Sequence, residues 1–210
     1  MKKLFAIVLS TLLLWTAIPM GALAASAASV ESLTYVITDG QVTVTACDEL
    51  ASGKLEIPAT IEGYPVTAIG DAAFFGCVGL TEVIIPDSVT AIGVDAFALC
   101  EGLTAVTVPA SVVTLGDWAF HGCAALTEAT IHSTAIGANA FNECAALTTV
   151  TLGDTVKTVG QWAFSGCSAL TAVTLPDSVA VLGEGAFANA SSLAAVTLSA
   201  NLTAIADLTF

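Results

Sequence analysis

Apolar residues recur along this chain in short bursts at nearly constant intervals. In the stretch LTEVIIPDSVTAIGVDAFALCEGLTAVTVP, from Leu80 to Pro109, the opening burst LTEVIIP returns at the close as LTAVTVP. Leu80, Val83 and Ile85 are inward candidates; strand side chains alternate between faces, so Val83 and Ile85 share one and Ile84 points the other way. Pro86 lacks an N–H and stops the ladder. Val89 and Ile92 return to the core on a second extended piece, and Gly93 permits a tight bend. In VDAFALCEG, the residues Ala96, Phe97, Cys100 and Leu103 stand at i, i+1, i+4 and i+7, which predicts one face of a short helix. Asp95 lies near its start, where a carboxylate suits free N–H groups, and Asp71, Asp117 and Glu184 occupy similar places in other copies.

The copies are marked by Phe74, Phe97, Phe120, Phe141, Phe164, Phe187 and Phe210, at spacings of 23, 23, 21, 23, 23 and 23. Gly70, Gly93, Gly116, Gly137, Gly160 and Gly183 each precede a Phe by four residues. Leu80, Leu103, Leu126, Leu147, Leu170 and Leu193 each follow one by six. Such a period means stacked units, each too small to fold alone. A unit of strand, turn, extended piece and short helix predicts an α/β solenoid. It has a parallel β-sheet face, short helices on another face, and a curved stack with rungs ~4.8 Å apart.

Two places break the period. The fourth unit reads IHSTAIG where its neighbour has VPASVVTLG, two residues more. That predicts a tightened loop and a place where the stack can kink. The first unit, IPATIEGYPVTAIG, carries an inserted loop with Tyr64 and Pro65. Before it, Asp39-Gly40 sits between alternating β-formers in TYVITDGQVTVTA, a hairpin signal. This gives residues 25–54 as a linker and N-terminal β-hairpin cap, and residues 55–210 as the solenoid, about six to seven units with the last incomplete. The pattern stops inside a unit, so a fragment or a frayed last unit is expected.

The chain is 56% hydrophobic and only 10% charged, too apolar for disorder. Residues 1–24 have the layout of a secretory signal peptide. Lys2 and Lys3 precede LFAIVLSTLLLWTAI, and small residues follow up to Ala24, with Ala27 as the second choice of cleavage point. No membrane span is expected after cleavage. Lys54 and Lys157 would then face 18 acids, leaving a charge near −16. With no Arg and so few Lys, nucleic-acid binding is excluded.

Cys77, Cys100, Cys123, Cys144 and Cys167 each lie three residues after the repeat Phe, with Ala190 in the sixth place and Cys47 apart. Export would permit disulfides. Their shared inward register favours buried free thiols instead, since parallel side chains rarely give the disulfide torsion. A one-per-unit column also makes no tetrahedral metal site. His121 and His132 stand in no catalytic spacing, and no GxSxG, P-loop or GxGxxG is present. The reading is therefore not an enzyme, with no cofactor and no metal; Asp87, Asp154 and Asp177 form at best a broken calcium column.

The surface is a better candidate. Ile84, Thr107, Thr130, Thr151, Thr174 and Thr197 occupy one outward column, with Glu82, Glu128 and Thr149 in the column before it. Thr is a good β-former facing water, and a solenoid face can also bind a partner. Trp118 and Trp162 stand two residues before their Phe, where other units carry Ala72, Asp95, Asn139 and Gly185. They are either a packed edge or an aromatic contact for a protein or glycan.

The unit LTEVIIPDSVTAIGVDAFALCEGL resembles the BspA-like leucine-rich repeat, over roughly Leu55 to Phe210. Pro86, Pro109 and Pro176, followed by Ser88, Ser111 and Ser178, stand where the usual leucine-rich repeat has Asn, itself a mark of this subtype. The resemblance implies a right-handed leucine-rich-repeat-like stack and a bacterial secreted or cell-surface protein. Its implied role is adhesion to a protein or glycan at the host or bacterial cell surface. It carries over no catalytic residue. The competing expectation is a passive spacer within a longer surface protein whose C-terminal part is missing.

Overall fold

The computed structural model describes residues 26–210; the segment read as a signal peptide lies outside them. Each unit but the last contributes one strand to each of two ladders. The front sheet is six-stranded, in the order Ser26–Ala27, Ala51–Glu56, Leu80–Ile84, Ala105–Val108, Glu128–Ile131 and Thr149–Leu152. A separate parallel pair, Ala172–Thr174 with Ala195–Thr197, follows it. The second sheet holds the pieces Tyr64–Ile69, Ala91–Ile92, Thr114–Leu115, Ala135–Ile136, Thr158–Val159 and Val181–Leu182, all parallel. A hairpin of Leu33–Thr38 and Gln41–Cys47 joins this sheet at its N-terminal end. Asp39 and Gly40, at φ 51° and 74°, form its turn, the left-handed pair that a two-residue hairpin requires.

The third face corrects the sequence reading. Among the described residues no α-helix forms; the segment around each repeat Phe is a succession of tight turns. The cause is backbone handedness. The residue two before each Phe is left-handed in every unit, from Ala72 at φ 53° and Asp95 at 54° to Trp162 at 56°. The residue two after it is left-handed as well, as in Gly76, Leu99, Gly122, Glu143, Gly166 and Asn189. A right-handed helix cannot run through such residues. The amides are used otherwise. Asp95, Phe97 and Leu99 donate to the carbonyls of Asp117, Ala119 and His121 in the next unit, at 2.7–3.0 Å. The amides between them close local turns, as Ala98 does on Asp95. A row of helices ~10 Å wide could follow rungs set ~4.8 Å apart only by curving the stack strongly.

The expected helix-start role of the acids changes with it. The carboxylates of Asp71 and Asp117 accept the backbone N–H of Val94 and Ala138, one unit further on, at 2.8 and 2.7 Å. They tie rungs together. The glycine column is explained by close approach, since Gly93 and Gly116 do not have positive φ. A Cβ on Gly116 would lie 2.3 Å from the carbonyl oxygen of Gly93.

The core is a set of columns. Phe74, Phe97, Phe120, Phe141, Phe164 and Phe187 are almost wholly buried. Their rings stack in series at centroid distances of 4.7–5.4 Å, with planes within 12° of parallel. This is close to strand spacing, so the turn face advances about as fast as the sheets. The cause of strong curvature, a thicker back face, is missing. The short fourth unit keeps its register: Ala135–Ile136 pairs on both sides, and Phe120 and Phe141 stack at 5.2 Å. The deletion is absorbed in the corner at His132.

All six cysteines are free thiols. Cys100, Cys123, Cys144 and Cys167 donate their S–H to the carbonyls of Phe74, Phe97, Phe120 and Phe141, one unit back, at 3.0–3.3 Å. Burial pushes the Cys167 thiol from its ordinary 9.0 up to about 12.

Two outcomes follow from this packing. Phe141→Ala opens a void between two stacked rings and is expected to cost about 3–5 kcal/mol of unfolding free energy in urea titration. Cys167 holds its proton in the folded chain and releases it first when unfolded. Its contribution is therefore complete below pH 9 and lost as pH rises toward about 12. Thermal midpoints between pH 8 and pH 11 are expected to fall, and less steeply in Cys167→Ala, which borrows the residue found at Ala190.

Candidate functional site

The front sheet presents its outward residues in lines because strand alternation fixes them. Val83, Val106, Ala129, Val150 and Val173 are buried, which turns their neighbours out. Thr107 pairs in register with Thr130, and Thr130 with Thr151. In the adjacent column Glu82 pairs with Ala105, Ala105 with Glu128, and Glu128 with Thr149. Thr107, Thr149, Thr151 and Glu128 are exposed and Thr130 is half-buried. Thr174 and Thr197 pair with each other in the separate two-stranded sheet, so the threonine line is interrupted between Thr151 and Thr174. Ile84 is exposed beside Glu56.

Glu82 is engaged already. Its carboxylate meets the Lys54 Nζ at 2.9 Å across the neighbouring strand, with both side chains about half exposed. Such a pair is worth about 0–1 kcal/mol. Two shallow depressions mark the face. Glu82, Ile84, Asp87, Thr107, Pro109 and His132 border one. Thr151, Leu152, Asp154, Thr174 and Pro176 border the other, which spans the break in the threonine line. Each joins an apolar floor to hydroxyl and carboxylate groups.

The two tryptophans lie elsewhere. Trp118 and Trp162 occupy the left-handed position of the turn face, at φ 60° and 56°. The structure therefore divides the residues singled out from sequence between two surfaces. The Trp118 ring meets His121 edge-on at 4.9 Å. His121 Nδ1 stands 3.1 Å from the Asn142 carbonyl; because a carbonyl only accepts, this contact puts the proton on Nδ1. The Trp162 ring lies over Gly185, where a Cβ would come within 2.4 Å of it. Both indoles are thus packed on one side and partly open to solvent.

One column escaped the sequence reading. Thr104, Thr127 and Thr148 each donate a hydroxyl to the carbonyl of the equivalent threonine one unit back, at 3.0–3.1 Å. Their amides reach the same carbonyls. The signal was present, since Thr follows the repeat Leu at Thr81, Thr104, Thr127, Thr148 and Thr171. This ladder runs along the strand starts of the front sheet and adds a side-chain hydrogen bond between successive rungs. Among the described residues no cluster of three or more His, Cys, Asp or Glu could hold a metal ion. No helix among them is long and apolar enough to cross a membrane.

Comparison with known proteins agrees with this architecture. A family model described as BspA type leucine rich repeat region (6 copies) matches residues 53–135 and 126–210. A leucine rich repeat protein from T. pallidum, TpLRR, shares the fold at a TM-score of 0.62 and 24% identity, covering 80% of this chain and 91% of its own. The pneumococcal vaccine antigen PcpA is similar at a TM-score of 0.56 and 19% identity, over 82% of this chain and 49% of its own. A leucine-rich repeat protein from Eubacterium ventriosum is similar at 0.52 and 21% identity, over 81% of this chain and 52% of its own. No curated protein matches.

The packing of Trp162 gives a local test. Gly185→Ala forces the indole off its seat. A red shift in tryptophan emission is expected, with a loss of about 1 kcal/mol in stability. An unchanged spectrum would mean that the ring does not rest there.

Proposed function

Because this chain belongs to the BspA type leucine-rich repeat family, we propose that it is an exported bacterial interaction protein. It acts in secreted or surface-held form. Its ligand is a protein or glycan of a host or bacterial cell surface, bound on the front sheet. The observation that carries this reading is the in-register line Thr107, Thr130 and Thr151, flanked by two depressions on a hydrogen-bonded scaffold.

The physical case rests on preorganisation. Binding costs conformational freedom on both sides, and a face whose backbone is locked between neighbouring rungs loses little. Threonine offers one hydroxyl and one methyl with a stiff side chain, suited to contacts that mix hydrogen bonding with apolar packing. The strong negative charge disfavours anionic lipid and nucleic acid as partners and favours ligands with cationic or neutral surfaces. The signal-like segment at residues 1–24 supports export. The likeness in fold to a pneumococcal vaccine antigen is in keeping with an exposed location.

Two variants separate the two surfaces. One replaces Thr107, Thr130 and Thr151 with Lys, and the other replaces Trp118 and Trp162 with Ala. Binding to immobilised matrix proteins and to a glycan array is measured for each, with far-UV circular dichroism as the folding control. The front-sheet variant is expected to lose about tenfold or more in affinity. Undiminished binding by that variant removes the sheet from the account. Loss confined to the tryptophan variant moves the site to the turn face.

A further inference from the structure

Three successive rungs of the turn face carry aromatic and amide side chains in one line. Trp118, Asn139 and Trp162 each stand two residues before a repeat Phe. Their amides donate along the stack to the carbonyls of Ala138, Gln161 and Glu184 at 2.8–2.9 Å. Beneath them Phe120, Phe141 and Phe164 stack at 5.2 Å per step, so the two tryptophan positions lie two rungs, about 10 Å, apart. All three residues have left-handed backbone. Asn tolerates that region, whereas a bulky tryptophan there is an outlier with no local cause. The Trp162 ring lies face-on to Gly185. A Cβ there would stand 2.4 Å from Cε3 and 2.6 Å from both Cδ2 and Cζ3, near-equal distances that put it over the ring face. The opposite face is turned away from Gly185, on a side chain that reaches solvent. Trp118, 37% exposed, is braced edge-on by His121 at 4.9 Å. The Nδ1–H of His121 is held by the Asn142 carbonyl, so Nε2 is left as the ring's acceptor. Asn139 and Asn142 serve the ladder through their backbone groups, and their side chains are half-buried.

We propose that this strip binds a linear, uncharged β-1,4-linked glycan, laid along the solenoid axis with alternate sugar rings on Trp118 and Trp162. In an extended β-1,4 chain each pyranose advances by about one rung and is turned over relative to the one before. Every second ring therefore presents the same face, at the interval that separates the two tryptophans. A pyranose face is a layer of C–H groups and stacks on the negative face of an indole. Its hydroxyls lie around the rim. Asn139 stands beneath the intervening sugar with both a donor and an acceptor, and Asn142 and the Nε2 of His121 stand beside it. The rungs hold both tryptophan positions at their interval before a ligand arrives, so little freedom is lost on binding. Charge selects within the class. Trp118, Asn139, Asn142 and Trp162 carry none, while the chain as a whole is strongly acidic, with Asp117 and Glu143 exposed nearby. Sulfated and uronic-acid chains are therefore repelled, and neutral ones are not.

The test is calorimetric titration of the purified full chain with chitohexaose and cellohexaose, against maltohexaose, whose α-1,4 links coil it away from this repeat. Saturable binding of a β-linked hexamer is expected, with a blue shift in tryptophan emission, and no binding of maltohexaose. A trisaccharide is the shortest chain that spans both rings, and is expected to bind about tenfold tighter than the disaccharide. Trp118→Ala and Trp162→Ala are each expected to lose about tenfold or more in affinity. Ala72 shows that the column accepts alanine. Asn139→Trp combined with Trp162→Asn keeps two indoles but sets them one rung apart, and is expected to lose as much. Far-UV circular dichroism is the folding control, and the comparison of sugars needs no variant. Absent binding of both β-linked hexamers, equal binding of maltohexaose, full affinity in the spacing variant, or binding of a polyproline peptide in their place would each overturn the proposal. So would loss of the hexamer in the variant with Thr107, Thr130 and Thr151 replaced by Lys, which would put the glycan on the front sheet. Retention in that variant keeps this strip separate from the front-sheet ligand, whichever way that reading falls.

Discussion

The rung spacing of the parallel ladders, ~4.8 Å, is the constraint that every other feature obeys. Once two sheets fix that advance, the third side of each unit must advance by the same amount. A row of α-helices would be wider and would bend the stack; here the chain makes tight turns instead and sends every second amide to the next rung. Phenylalanine rings stack because their interval equals a comfortable ring separation. Glycine is needed at Gly116 because the backbone below comes within contact distance of where a Cβ would be. Thiols, threonine hydroxyls and aspartate carboxylates each satisfy a backbone group one rung away.

Much of this was legible in the chain. The phenylalanine column, its inward burial and the alternation of Val83, Ile84 and Ile85 follow from period and alternation alone, and the structure places them so from Phe74 to Phe187, while Phe210 is exposed. The misreading came from the turn face. Ala96, Phe97, Cys100 and Leu103 satisfy a helical stripe, but a series of turns also points those four residues inward. The evidence against a helix was in the residues between. Gly76, Gly122 and Gly166 recur in the middle of the supposed helix, where each would cost ~1 kcal/mol, and Asn189 occupies the same place. These are residue types that tolerate left-handed backbone. Leu99 and Glu143 share that backbone without advertising it, which is why the pattern was hidden. The threonine ladder was missed because threonine on a strand is unremarkable until its partner one unit back is known.

Uniform advance also shapes what the surface can do. Each outward position becomes a column with a fixed repeat, held by a core that no single unit could form. Variation in the outward residues therefore leaves the scaffold intact, as the change from Ile84 to Thr107 in one column shows. The front sheet and the turn face can diverge independently. The interruption between Thr151 and Thr174 divides the first of them into two lengths. The N-terminal end is held by a hairpin that continues the second sheet.

The central claim is that the turn face is a ladder between units rather than a row of helices. Couplings transmitted across hydrogen bonds, measured by NMR on deuterated protein, test it directly. The account predicts correlations from the amide of Phe97 to the carbonyl of Ala119, from Phe120 to Ala140 and from Phe141 to Ala163. Correlations from those same amides to carbonyls four residues earlier in the chain, Gly93, Gly116 and Gly137, would contradict it.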